Sequence, residues 1–224
     1  MLKPGTWNQE LGTRNQQPAP STKQQATGNQ QQAPSTKQPV TSNRLNLGAI
    51  RSEENILWSF APHDISIIEY LTEDNPVEIS AHGGDYVQNG VEDTTLTFLT
   101  YPNNVKVHIF VSWLHPFKEQ RMVVIGDKGM FVFEDSIKTE KLKFYNKGFR
   151  TVDGAVEKFD KDYTVVNIEN TMPLTEEHKH FYNAIISDTT PITDGKHAVE
   201  VLKILAEATR SLAEAADVSG RVVG

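Results

Sequence analysis

Hydrophobic and polar positions follow two periods along this chain, and the first forty-odd residues follow neither. Near the middle, "HDISIIEYL" (His63 to Leu71) sets Ile65, Ile68 and Leu71 at helical spacing, with Pro62 just ahead as a helix-opening residue. The pattern then shortens into strand-like runs: "VEISAHGG", "TTLTFLTY", "VKVHIFVSW", "RMVVIG", "MFVFED" and "KLKFY", separated by turn signals such as "YPNN" and "GDKG". Close spacing with short turns predicts antiparallel hairpins rather than βαβ crossovers. Two helices are expected to close the chain. The first runs from about Thr175 through "EEHKHFYNAII"; the second is capped near Thr193 or Asp194 and lays Val201, Leu205, Ala208 and Leu212 along one face. A helix, a run of strands and then helices gives an α+β fold, an open-faced and largely antiparallel β-sheet with helices on one face.

The opening segment is rich in Gln, Pro, Ser, Thr and Asn with almost no large apolar side chains, so it has little to bury against the entropy of ordering. Within it "NQQPAPSTKQ" (Asn15 to Gln24) returns as "NQQQAPSTKQ" (Asn29 to Gln38), identical at nine of ten positions at a fourteen-residue spacing. A solenoid repeat would carry a periodic apolar face, and this one carries none. The expected organisation is a disordered, low-complexity tail over 1–42 and a folded domain over 43–218.

Charge sharpens that division. Met1 to Thr41 holds Lys3, Arg14, Lys23 and Lys37 against Glu10, a net +3, which leaves −10 for the rest of a chain whose total is −7. A folded part this acidic is poorly suited to neutralising phosphates, which argues against nucleic acid as a partner. With no cysteine there is no disulfide framework and no thiolate metal site. The N-terminus lacks an apolar signal core, and no run approaches the roughly 18 apolar residues of a membrane span. The expectation is a cytoplasmic protein with no membrane partner, whose 224 residues suffice for one sizeable core.

For chemistry, "NILWSFAPHDISIIEYL" (Asn55 to Leu71) places an imidazole and a carboxylate where a helix is expected to open. In the first turn, free backbone N–H groups and the helix dipole favour a neutral His63 over a cationic one, and Trp58 and Phe60 would desolvate it. That is the profile of a general base, with Asp64 as a first-turn cap. The plainer alternative is a histidine that packs. A second dense segment, "VSWLHPFKEQRMVVIGDKGMFVFED" (Val111 to Asp135), crowds Trp113, His115, Phe117 and Lys118 at a strand end where the chain is expected to turn at Pro116. Aromatic and cationic groups at such a corner suit a planar or phosphorylated ligand, against the alternative of a buried Trp beside an exposed Lys. His108 alternates with Val107 and Ile109 and reads as structural. His178 and His180, two apart, point to different helix faces and accompany no carboxylate cluster, so no metal is expected. No "GxGxxG", "GxxxxGK[ST]", "HExxH" or "GxSxG" is found, so no cofactor-binding residue is assigned.

Three motifs in order, "SNRLNLGAIRSEENILWSFAPHDISIIEYL" (Ser42 to Leu71), the Val111 to Asp135 segment and "HFYNAI...PITDGKHAVEVLKIL", resemble the C-terminal domain of the Gfo/Idh/MocA oxidoreductases over Ser42 to Leu212. Within that family the likeness is to the branch of UDP-N-acetylglucosamine or UDP-N-acetylglucosaminuronate 3-dehydrogenases of surface-polysaccharide biosynthesis. The resemblance implies an open sheet that binds the sugar, forms homo-oligomer contacts and supplies a catalytic histidine, matched by His63. Arg44 and Asn46 would lie near the substrate by the same likeness, with Trp113, His115 and Lys118 as further substrate-binding candidates. Many relatives carry an aspartate where this chain has Ser59. Family members use NAD(P), held by a Rossmann domain, and a lysine in an "EKP" motif; both would lie upstream of "SNRLNLG", where this chain has the Gln-rich tail and no Rossmann domain. Three readings follow: a substrate half that is inactive alone and binds or oligomerises, the C-terminal remnant of a disrupted gene, and a half-enzyme completed by a separate Rossmann chain that oxidises a UDP-sugar at C3.

Overall fold

A computed structural model describes residues 39–169 and 171–222. Alternation makes its strands. In β4 (Lys106–Ser112), Val107, Ile109 and Val111 are buried while His108 and Phe110 point the other way. Antiparallel to it, β3 (Thr94–Thr100) buries Leu99, Thr97 and Thr95 directly opposite those three, and β2 (Glu78–Gly84) completes this meander. A second antiparallel meander follows: β5 (Leu114–Gly126), β6 (Gly129–Glu134), β7 (Leu142–Val152) and β8 (Ala155–Val165). Between the two lies β1 (Val40–Leu47), parallel to β4 and antiparallel to β5, giving the order β2-β3-β4-β1-β5-β6-β7-β8.

Helices α1 (Ile56–Thr72) and α3 (Gly195–Val222) cover one face of the first meander. Ile56, Leu57, Ala61, Ile65 and Ile68 from α1 meet Val201, Ile204, Leu205, Ala208 and Leu212 from α3 over Leu99, Val107, Ile109 and Val111. Each fully buried aliphatic side chain of this set contributes about 1.5–3 kcal/mol. Trp58 Nε1 donates to Thr209 Oγ1 at 2.9 Å and ties the two helices together. Trp113 closes one end of the core, and Gly48 makes room for it, because a Cβ there would lie 2.8 Å from the indole. By contrast α2 (Pro173–Ile186) buries Ala184 and leaves Leu174, Phe181, Tyr182, Ile185 and Ile186 exposed. The other sheet face shows Leu96, Phe98, Phe110, Val123 and Val132, and among the described residues no helix packs on it.

The expected α+β open sheet, largely antiparallel with helices on one face, is the observed fold. Four local expectations give way. Strand β1 reaches back to the buried Val40, ahead of the boundary expected after 42, because pairing with a strand on each side outweighs its polar composition; the repeat itself lies outside the described residues. The hairpin β7–β8 extends far beyond "KLKFY", with β8 mostly exposed and so lacking an alternating apolar face. Pro116 does not turn the chain: the turn falls at Trp113, and Pro116 lies inside β5 beside the register shift opposite Leu45 and Leu47, where a missing N–H is tolerated. Finally, α1 opens seven residues before His63, at Ile56.

Candidate functional site

The start of α1 is set by Asn55, whose side chain accepts from the Trp58 N–H at 3.2 Å and donates through Nδ2 to Glu92 at 2.7 Å. Pro62 therefore sits within the helix, with no N–H to offer the Trp58 carbonyl. His63 stands in the second turn rather than at the mouth, and the first-turn dipole argument does not apply to it. Its side chain is exposed and borders an open cleft of about 490 Å³ between α1 and the covered sheet face. Arg44 of β1, Gln120 and Met122 of β5, Phe133 of β6, and Asp135 and Pro173 line the same cleft. Strand alternation and register bring Ser42 opposite Met122 and Arg44 opposite Gln120 on the helix side of the sheet.

Asp64 is not a helix cap. It points inward, only 3% exposed, and its carboxylate is fully engaged: Oδ2 accepts from Arg44 Nε at 2.9 Å, and Oδ1 accepts from Ser42 Oγ at 2.8 Å and Arg44 Nη2 at 3.3 Å. Such a pair survives burial because each oxygen has a donor, and removing either charge would leave the other uncompensated. The remaining lining charges are also paired. Arg121 forks onto Glu134, with N···O distances of 3.2 and 3.3 Å, which raises its pKa above the ordinary value chiefly through that hydrogen bonding. Asp135 accepts from Lys141 Nζ at 2.6 Å.

Of the residues singled out in the sequence, Arg44 and His63 share this cleft. Asn46, Trp113, His115 and Lys118 do not line it. Asn46 is half-buried near the end of β1, and Trp113 is a core residue between β4 and β5. His115 sits edge-on to Phe117 at 4.4 Å between ring centres, with Nδ1 2.9 Å from the Phe117 carbonyl oxygen, and Lys118 is exposed. Sequence reasoning missed Ser42, Gln120, Phe133, Asp135 and the inward role of Asp64. The signal for Ser42 and Arg44 was their alternation with Val40, which the polar residues between them obscured. Among the described residues no group of His, Asp or Glu is arranged to hold a metal.

A nicotinamide dinucleotide needs a glycine-rich turn from a strand into a helix N-terminus. No described helix has one. Gly48 is filled by Trp113, Gly84 by Tyr86, Gly129 by Phe144 and Gly148 by Phe159; the open Gly90 and Gly154 occupy turns at positive φ, and the open Gly195 at the start of α3 follows a turn, Thr189 to Asp194, with no other glycine. The described residues do not fit that cofactor.

Residues 31–132 match the family model of the GFO/IDH/MocA C-terminal domain. That stretch is similar to a Gfo/Idh/MocA C-terminal domain. Among solved structures, UDP-N-acetylglucosamine 3-dehydrogenase GnnA from Acidithiobacillus ferrooxidans superposes with a TM-score of 0.63 at 21% identity, over 78% of this chain and 54% of that one. Aldose-aldose oxidoreductase from Caulobacter crescentus gives 0.61 at 15%, over 80% and 54%, and an NAD-binding protein from Listeria innocua gives 0.61 at 14%, over 79% and 57%. Identities this low establish a shared fold, and the chain spans about half the length of these structures. Among curated proteins, no relative matches. Among the described residues, no helix is long and apolar enough to cross a membrane.

Proposed function

We propose that this domain is the substrate half of an NAD(P)-dependent nucleotide-sugar dehydrogenase, seating the sugar of a UDP-sugar between α1 and the sheet. The observation that carries this reading is the meeting, in one cleft, of the exposed His63 imidazole with a guanidinium, Arg44, held by a buried carboxylate. A sugar presents hydroxyls on its edge and C–H groups on its faces. Arg44 and Gln120 supply donors, Gln120 and Asp135 supply acceptors, and Met122 and Phe133 supply apolar surface. His63 would take the proton of the reacting hydroxyl. The named activity of GnnA on UDP-N-acetylglucosamine supports the choice of a sugar nucleotide. NAD(P) belongs to the family's chemistry, and on this reading the cofactor is held outside the described residues, so the domain alone is inactive. The alternative assembly is with a separate Rossmann chain.

The test is a titration of the purified chain with UDP-N-acetylglucosamine, followed by NMR. Saturable shifts at the His63 ring and the Arg44 side chain are expected below about 1 mM, the upper end of usual substrate affinities. Absence of binding there would overturn the reading. NADH fluorescence should stay unchanged on adding the chain. A second property rests on the open sheet face: Phe98 is 43% exposed beside half-buried Leu96, Phe110, Val123 and Val132, a surface suited to pairing two copies. Light scattering at roughly tens of micromolar should report a homo-oligomer, and Phe98→Glu should shift it to monomer.

A further inference from the structure

The sugar-nucleotide reading leaves open whether the sugar is a neutral hexose or a hexuronate, which differ by one carboxylate. We propose that the buried Asp64, by neutralising Arg44, makes this cleft select an uncharged sugar and reject a uronate; the inference rests on the reading above.

The charges on the cleft wall carry the argument. Arg44 is paired with Asp64, Arg121 with Glu134 and Asp135 with Lys141, so the lining has no surplus cation. Arg44 would be the natural partner for a substrate carboxylate, since its side chain is 18% exposed while Asp64 beneath it is 4% exposed. Its Nε and Nη2 are turned inward onto Asp64, however, and a carboxylate that is buried and anchored also by Ser42 cannot swing away to release them. What remains for a ligand is the outer edge of the guanidinium, a set of N–H donors with their charge compensated about 3 Å away. Hydroxyl oxygens are well served by such donors. A carboxylate entering the cleft would lose water and meet no guanidinium whose charge is not already compensated. Selectivity of this kind comes from the unfavourable term against the wrong ligand. His63 is the remaining ionisable group of the lining, so both compounds are compared at one pH.

The experiment is isothermal titration of the full chain at pH 8.5 with UDP-N-acetylglucosamine and with its 6-carboxylate counterpart. The neutral compound is expected to bind at least about tenfold more tightly, and Asp64→Asn, which keeps the shape and frees the Arg44 charge, should move the ratio by about tenfold or more toward the uronate. Equal affinities in the unaltered chain, or a ratio unmoved in a folded Asp64→Asn variant, would overturn the inference while leaving the sugar-nucleotide reading in place. Binding of neither compound would sink both. Should circular dichroism show that Asp64→Asn does not fold, the ratio in the unaltered chain decides alone.

Discussion

Thr95 and Thr97 project from β3 into the space beneath the helices, fully buried, and neither hydroxyl has a hydrogen-bond partner among the described residues. A strand can favour threonine for its branched shape while the core has no use for its oxygen. Thr97→Val keeps the shape and removes the uncompensated group, so it should stabilise the domain by about 1 kcal/mol, read as a raised urea midpoint with an unchanged slope. The same scale shows what sequence alone could reach at the cleft. Arg44 and His63 were legible because motif resemblance marked them. Asp64 was misread as a cap because its partners lie 20 and 22 residues away, on a strand whose polar composition hid its alternation.

At the scale of elements, apolar periodicity located the helices and most strands, since burial writes a repeat into each of them. It failed where burial was absent or shared. The mostly exposed β8 carries no stripe to read. In α1, the true start was masked by Pro62, a residue that usually opens helices and here is held inside one by the packing of Ile56, Leu57 and Ala61 before it and Ile65 and Ile68 after it. α3 gave the clearest pattern, and its stripe is the half of the core that α1 leans on. Leu205, 1% exposed at its centre, should cost about 3 kcal/mol on replacement by alanine, from lost transfer energy and the cavity left between the two helices. Leu202, at the exposed edge of the stripe and 50% accessible, should cost far less, and thermal melts of the two variants compare them directly.

For the whole molecule, the open face of the sheet carries a response to acid. His108 lies on the open face against Phe98, with ring centres 6.2 Å apart, and burial pushes its imidazole below the ordinary value. Between the lowered and the ordinary value the folded chain binds fewer protons than the unfolded one, so stability is lost as pH falls through that window. Urea midpoints at pH 7.5 and 5.5 should show a drop that is smaller in His108→Gln; an equal drop in that variant would assign the effect to other groups. The order of the strands has a further consequence, in time. β1 leaves the ribosome first of the described strands, yet its neighbours are β4 and β5, which reach Ser112 and Gly126. Each meander can zip from its own short turns, while the strand that joins them must wait for both. Non-local closure of that kind is slow. Pulse-labelled hydrogen exchange during refolding should therefore find amides of β3 and β6 protected while those of β1 still exchange, with the two halves of the sheet formed before the strand that makes them one.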